Sequence, residues 1–325
     1  MTPPRFDILS IGNAIVDILA EVEDGFLGHQ GMIKGAMELI DAARTDALYA
    51  AMPPAVQTSG GSVANTAAVA GQMGARAAFI GVVADDEFGH IFRHDIHGSG
   101  VHHPTPPSAG GDPTARCLIL VTPDGQRTMN TYLGVSSTLA PHHLDHALIG
   151  ESAISYLEGF LFYVPDSAQA SRQAAEIAHA AGRQVAISLS DFLCVERNLE
   201  AFQTMVRDHV DILFANEQEL AALTGLTDFE AGAAVVRGQV EIAALTRGER
   251  GSVIFRGEDR FDIAPVTTKV VDTTGAGDAY AAGFMTALTA GKDLPTCGRW
   301  GSRAAAETIS RMGARPPGDL SYLRG

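Results

Sequence analysis

The segment Val270-Val271-Asp272-Thr273-Thr274-Gly275-Ala276-Gly277-Asp278-Ala279-Tyr280 constrains this chain more than any other. It reads as the end of a strand, a glycine-bearing turn and the start of a helix. Gly275 and Gly277 permit a tight backbone that side chains would obstruct. The first N–H groups of a helix have no intrahelical acceptor and point outward, where an anion is favoured. Asp278 lies among those donors, and its carboxylate would repel a phosphate. Chemistry supplies a reason for it: the carboxylate accepts the proton of a hydroxyl while the amides hold the phosphoryl group that the hydroxyl attacks. The alternative is a capping turn with a stabilising acid in the first helical turn.

At 325 residues the chain is long enough for one large α/β domain or two. A net charge of -15 argues against general binding to nucleic acid or anionic membrane, but not against a locally positive phosphate pocket. Cys117, Cys194 and Cys297 are widely spaced and form no CxxC pair, which predicts a reduced compartment. The first residues carry no apolar signal core, and no apolar run is long enough to span a bilayer. The expectation is a soluble cytoplasmic protein.

Short apolar runs at 6–12, 77–83, 153–157, 184–189, 211–214, 242–246 and 252–255 alternate with helical patterns at 61–74, 87–97, 167–181, 196–207, 217–223, 229–237, 276–290 and 296–312. This rhythm predicts an α/β fold with a mostly parallel sheet and helices on both faces. Ligands of such sheets bind beyond the strand C-termini. Two stretches break the rhythm, about 14–41 and about 101–135, with β-type alternation and the hairpin turn Pro123-Asp124-Gly125-Gln126. We read them as a small β-sheet inserted into a single domain spanning 1–325, forming a lid over the site. His142, His143 and His146 flank a polar turn with no nearby cysteine and read as a solvated face rather than a metal site. Trp300 reads either as core or as a neighbour of a nucleotide base.

Two motifs in order then carry a resemblance. Gly60-Gly61-Ser62-Val63-Ala64-Asn65-Thr66-Ala67, followed by Gly74 and Gly81-Val82-Val83-Ala84-Asp85-Asp86-Glu87-Phe88-Gly89, resembles the first signature of the PfkB-type, ribokinase-like kinases. Asp272-Thr273-Thr274-Gly275-Ala276-Gly277-Asp278, followed by Gly283-Phe284, resembles the second. The resemblance implies a three-layer sandwich that uses ATP and magnesium. It places Asp278 as the catalytic base and the amides of Gly275, Ala276 and Gly277 as an anion hole. Asn216 and Glu219 match an N-x-x-E motif that supports phosphates and magnesium, with Glu219 acting through water. The bland alternative for that pair is a cap and a solvated helix face. Thr246, Gly248 and Thr274 fall beside the nucleotide. Arg127 falls where a basic residue reaches the transferring phosphate, or it is a solvated turn residue. The resemblance also implies potassium held by carbonyls of Asp272, Thr274, Thr308, Arg311 and Gly313.

For the acceptor, the resemblance assigns Asn13, Asp17, Gly60, Gly61 and Asn65 to gripping sugar hydroxyls. A carboxylate accepts two hydroxyl bonds well, which suits a vicinal diol. The stretch Phe26-Leu27, then Met32-Ile33-Lys34-Gly35-Ala36-Met37-Glu38-Leu39-Ile40-Asp41, with a helix-length insert before Gly60, is similar to the adenosine-kinase branch. That branch implies a nucleoside acceptor, with Ile33, Met37, Leu133 and Phe160 as apolar contacts to the base or simply as lid core. A free-sugar kinase and a non-catalytic ligand sensor are the other readings, and an intact base argues against the sensor. An exposed lid sheet leaves both a monomer and a lid-paired homodimer open.

Overall fold

Strands of two to seven residues assemble into two sheets in the computed structural model, which describes residues 3–325. Strands β1 (Phe6–Ile11), β2 (Ile15–Glu21), β3 (Met37–Leu39), β4 (Val56–Gly60), β5 (Ala77–Ile80), β6 (Val101–His102), β7 (Ala115–Val121) and β8 (Arg127–Tyr132) come first. Strands β9 (Ser152–Glu158), β10 (Gln184–Ser188), β11 (Ile212–Asn216), β12 (Ile242–Thr246), β13 (Ser252–Arg256) and β14 (Asp259–Ile263) follow. The nine-stranded sheet has the order β14-β13-β12-β11-β10-β9-β1-β5-β6. It is parallel except where β13 pairs with β12 and with β14.

Alternate residues of the central strands feed two separate cores. Ile8, Ile154, Ala186, Ile212 and Ile242 pack on one face with helices Ser62–Gln72, Ala276–Thr289 and Leu294–Ile309. Leu9, Leu157, Ile187, Leu213 and Leu245 pack on the other with helices Pro165–Ala180 and Leu199–His209. Burial on both faces is why these strands read as continuous apolar runs rather than as strict alternation. The layered α/β architecture expected from the rhythm is therefore present. Trp300 is 5% exposed and belongs to the first core.

Some elements differ from the expectation. The helix expected over 196–207 is two, Phe192–Arg197 and Leu199–His209, broken at Asn198. The Asn198 side chain donates to the Cys194 carbonyl at 3.1 Å, an alternative to helix continuation that asparagine readily takes. Strand β14 was not anticipated, because Arg260 and Asp262 pair with each other on its exposed face at the sheet edge.

The second sheet has the order β3-β8-β7-β2-β4. Its even-numbered residues Val16, Ile18, Leu118 and Leu120 join the first core. Its odd-numbered residues form the opposite face, where Cys117, Ile119 and Val121 cluster with Ile15, Leu19 and Met129. The expected boundaries shift at both ends. Val101–His102 pairs with β5 and closes an edge of the large sheet instead. Strand β4, outside the expected segments, pairs antiparallel with β2, with Ile15 opposite Gly60. That pairing delivers the Gly60-Gly61 turn straight into the helix Ser62–Gln72.

Candidate active site

The parallel strands end on one side of the large sheet, and a cavity of about 340 Å³ opens there. Ser188, Asn216 and Thr246 line it from the ends of β10, β11 and β12, and Thr273–Asp278 close it. Gly275 turns the chain with φ 75°, and a Cβ there would collide with the Ala314 carbonyl. Gly277 has open space where a Cβ would stand. The helix Ala276–Thr289 begins at this turn; the Ala276 amide donates to the Thr273 carbonyl at 3.2 Å, and the other first amides, Gly277 among them, have no intrahelical acceptor. That arrangement fits the phosphates of a nucleotide. Ser190, with φ 68°, stands on the same wall and stores backbone strain there.

Asp278 sits in the first turn and accepts from Ser62 Oγ at 2.7 Å and Asn65 Nδ2 at 3.3 Å. Both donors come from the helix that follows Gly60-Gly61, so the two signatures meet at this carboxylate. Burial pushes its pKa up to about 6, against the pull of the two hydrogen bonds and of Arg315. Asn65 Oδ1 is buried and has no partner among the described residues. It is free to accept from an acceptor hydroxyl.

Asp17 lies on the odd-numbered face of β2. A Cβ on Gly60 would collide with its carboxylate, and a Cβ on Gly61, at φ 98°, would collide with the Asn13 carbonyl. Both glycines therefore keep the floor of this half of the cleft open. Burial raises the Asp17 pKa to about 6, while Arg315 and Arg127 pull it down. Asn13 donates through its side chain to Glu158 at 2.6 Å and through its backbone at 3.1 Å. Glu158 is 1% exposed, and burial pushes it up to about 7.

Arg127 is not a solvated turn residue. Its side chain is 7% exposed and forms an ion pair with Asp272, itself buried. Asp272 also accepts from the amides of Thr274 at 3.0 Å and Gly313 at 2.8 Å. The Thr308 carbonyl accepts from the amides of Ser310 and Arg311. Of the five carbonyls expected to hold potassium, only that of Thr308 is seen to accept from the chain's own amides among the described residues, because the bonds to Asp272 end on its side chain. Asn216 and Glu219 form a reciprocal capping box: Glu219 accepts from the Asn216 backbone at 2.9 Å and side chain at 2.8 Å, and Asn216 accepts from the Glu219 amide. Asn216 is thus a cap, but Glu219 is 7% exposed rather than solvated. Burial raises its pKa to about 7, and a magnesium ion bridged by water would hold it ionised. Thr246 lines the cavity, whereas Gly248 stands apart in the turn Gly248–Arg250.

Of the proposed base contacts, Phe160 lines the cavity, Ile33 and Met37 are 77% and 45% exposed, and Leu133 is half-buried. No cluster of histidine, cysteine and acidic residues suited to a metal occurs among the described residues, and His143 Nδ1 instead meets the Ala140 amide. Sequence reasoning missed Glu158 and Arg315. Neither stands in a motif, and the only trace of Glu158 is a carboxylate at the end of an otherwise apolar strand.

A layered α/β scaffold with an anion-binding helix start facing a carboxylate defines a phosphotransferase. Residues 36–319 match the family described as pfkB family carbohydrate kinase. The chain is similar to the structure of adenosine kinase from Sinorhizobium meliloti, with TM-score 0.91, 47% identity and 98% of each chain covered. It is equally similar to that of a probable sugar kinase protein from Rhizobium etli CFN 42, with TM-score 0.92, 43% identity, and 98% of this chain and 97% of that one covered. The adenosine kinase of Saccharomyces cerevisiae is 29% identical over 350 residues, covering 100% of both. The chain belongs to the pfkB family of carbohydrate kinases. It is an ATP-dependent kinase whose acceptor is a sugar or nucleoside hydroxyl.

Proposed function

We propose that the chain phosphorylates the primary hydroxyl of a ribonucleoside, adenosine above all, giving AMP. The observation that carries this reading is the odd-numbered face of the small sheet. Asp17 shares that face with Ile15, Leu19, Cys117, Ile119 and Met129, an apolar surface beside the one carboxylate suited to ribose hydroxyls. A nucleoside uses both parts, whereas a free sugar uses only the carboxylate. Burying roughly 100 Å² of base there contributes about 2.5 kcal/mol, close to a hundredfold in affinity. The similarity to proteins named adenosine kinase supports the same choice.

Bound ATP with magnesium supplies the phosphoryl group. The first amides of the helix Ala276–Thr289 hold its oxygens. Asp17, Asn65 and the Gly60-Gly61 turn orient the acceptor. Asp278 takes the proton from the attacking hydroxyl. Arg127 faces the charge that spreads during transfer, and the small sheet closes as a lid that excludes water. The sugar-kinase reading keeps all of these roles and loses only the apolar contact. Steady-state phosphorylation of adenosine, other nucleosides, ribose and fructose separates the two. Adenosine should show the highest kcat/KM, and a higher value for ribose or fructose would overturn the proposal.

A further inference from the structure

Arg315 is a buried cation of the cleft that no motif announces. It follows Ala314, whose carbonyl packs against the Gly275 turn. The side chain is 9% exposed. Its Nη2 donates to Ser59 Oγ at 2.7 Å, Thr58 Oγ1 at 3.2 Å and the Asp95 carboxylate at 3.3 Å. Its Nη1 is buried and has no acceptor among the described residues. Thr58 is the cross-strand partner of Asp17, so the guanidinium stands beside that carboxylate, and its field reaches Asp278 as well.

The charges around these two acids are one-sided. The charge of Asp278 bears on Asp17, Glu158, Glu219 and the Tyr156 hydroxyl, and the one charged group that pulls its own pKa down is Arg315. Asp17 faces Arg127 and lies opposite Cys117, whose thiol burial keeps neutral by pushing it to about 12. Arg127 is committed to Asp272. Arg315 has as its own acid partner Asp95, whose side chain is 41% exposed and well solvated. Water screens that pair, which leaves much of the Arg315 charge to act inward.

Taking Asp278 as the base, as above, we propose that Arg315 is a positioning residue that holds the carboxylates of Asp17 and Asp278 charged, so that one can bind the acceptor while the other accepts its proton. The same guanidinium pins Thr58 and Ser59, and with them the Gly60-Gly61 turn. One side chain thereby sets both the charge and the floor of the acceptor half.

The test is the pH profile of kcat for wild type, Arg315→Gln and Arg315→Lys, with Asp278→Asn alongside and thermal unfolding recorded for each. Loss of an opposite charge at this range raises a carboxyl pKa by about one unit or more, so the acidic limb of Arg315→Gln should move up by that amount. Arg315→Lys should return it toward wild type. A limb unmoved in the Gln variant, or moved equally in the Lys variant, would overturn the proposal. Asp95→Asn, which keeps an oxygen to accept from Ser59 but removes an acid next to Arg315, should move the limb down even if the Gln variant does not fold. An unchanged or raised limb there would also overturn it. Retained turnover in Asp278→Asn would instead sink the base assignment, and the two failures are thus distinguishable.

Discussion

Asp278 is suited to the proposed role of base because its surroundings hold it in an intermediate state. Burial pushes it toward neutrality, while Ser62 and Asn65 donate to the charged form. A base with a pKa near 6 is deprotonated at neutral pH yet still accepts a proton readily. Turnover should therefore fall as pH drops through about 6, where the carboxyl becomes protonated. Asp278→Asn keeps an oxygen for Ser62 and removes the basicity. Its kcat should fall by about 10²–10⁴-fold, with an unfolding temperature at neutral pH no lower than wild type, since the buried charge is removed. Turnover within a few fold of wild type would remove Asp278 from the reaction.

Besides its packed even-numbered face, the small sheet is tied to the site by two charged contacts. Arg127 begins β8 and pairs with Asp272 just before the anion-hole turn, while Arg315 ties β4 to the segment after the last long helix. The even-numbered face is packed into the main core, but the odd-numbered face is only partly covered. Acceptor binding should complete that cover. Hydrogen exchange should slow in residues 15–21 and 115–132 when acceptor is added. Unchanged exchange in both strand pairs would rule out a moving lid. Arg127→Ala should lower kcat by about 10²-fold, with a smaller change in acceptor KM, because its charge matters most while the phosphoryl group moves. Equal losses in binding and turnover would assign it to substrate affinity instead.

Across the whole molecule, the site is a concentration of acids held away from water. The pKa values of Asp17 and Asp278 rise to about 6 and those of Glu158 and Glu219 to about 7. In the unfolded chain each returns to the ordinary carboxylate range. Between about pH 4 and 7 the folded protein therefore binds more protons than the unfolded one, so stability falls as pH rises through that window. Asp86 and Asp95 act oppositely: their hydrogen bonds outweigh burial and lower their pKa values, so their contribution is lost as pH falls below the usual carboxylate range. The ligand-free protein should thus show its highest unfolding temperature on the acid side of neutrality. Calorimetry that finds a maximum above pH 7 would contradict this balance.

The glycine turn that opens the helix Ala276–Thr289, the acid in its first turn and the glycine turn before Ser62–Gln72 were legible in the chain, because each needs a residue type that little else satisfies. Gly275 and Gly61 require positive φ and close backbone approach, and Asp278 at a helix start is conspicuous against its own electrostatics. The alternating rhythm likewise announced the large sheet, since strands buried on both faces must be apolar throughout. Glu158, Arg315 and the Arg127–Asp272 pair were not legible. Their partners lie 145 residues away for Glu158 with Asn13, 256 for Arg315 with Ser59, and in the loop before the helix Ala276–Thr289 for Arg127. A lone charged residue reads locally as surface, and only the folded chain decides whether its partner arrives to hold it inside. The apolar face around Asp17 follows the same logic: period-two alternation defines two faces of a strand, but only packing decides which one meets the core and which one meets the substrate.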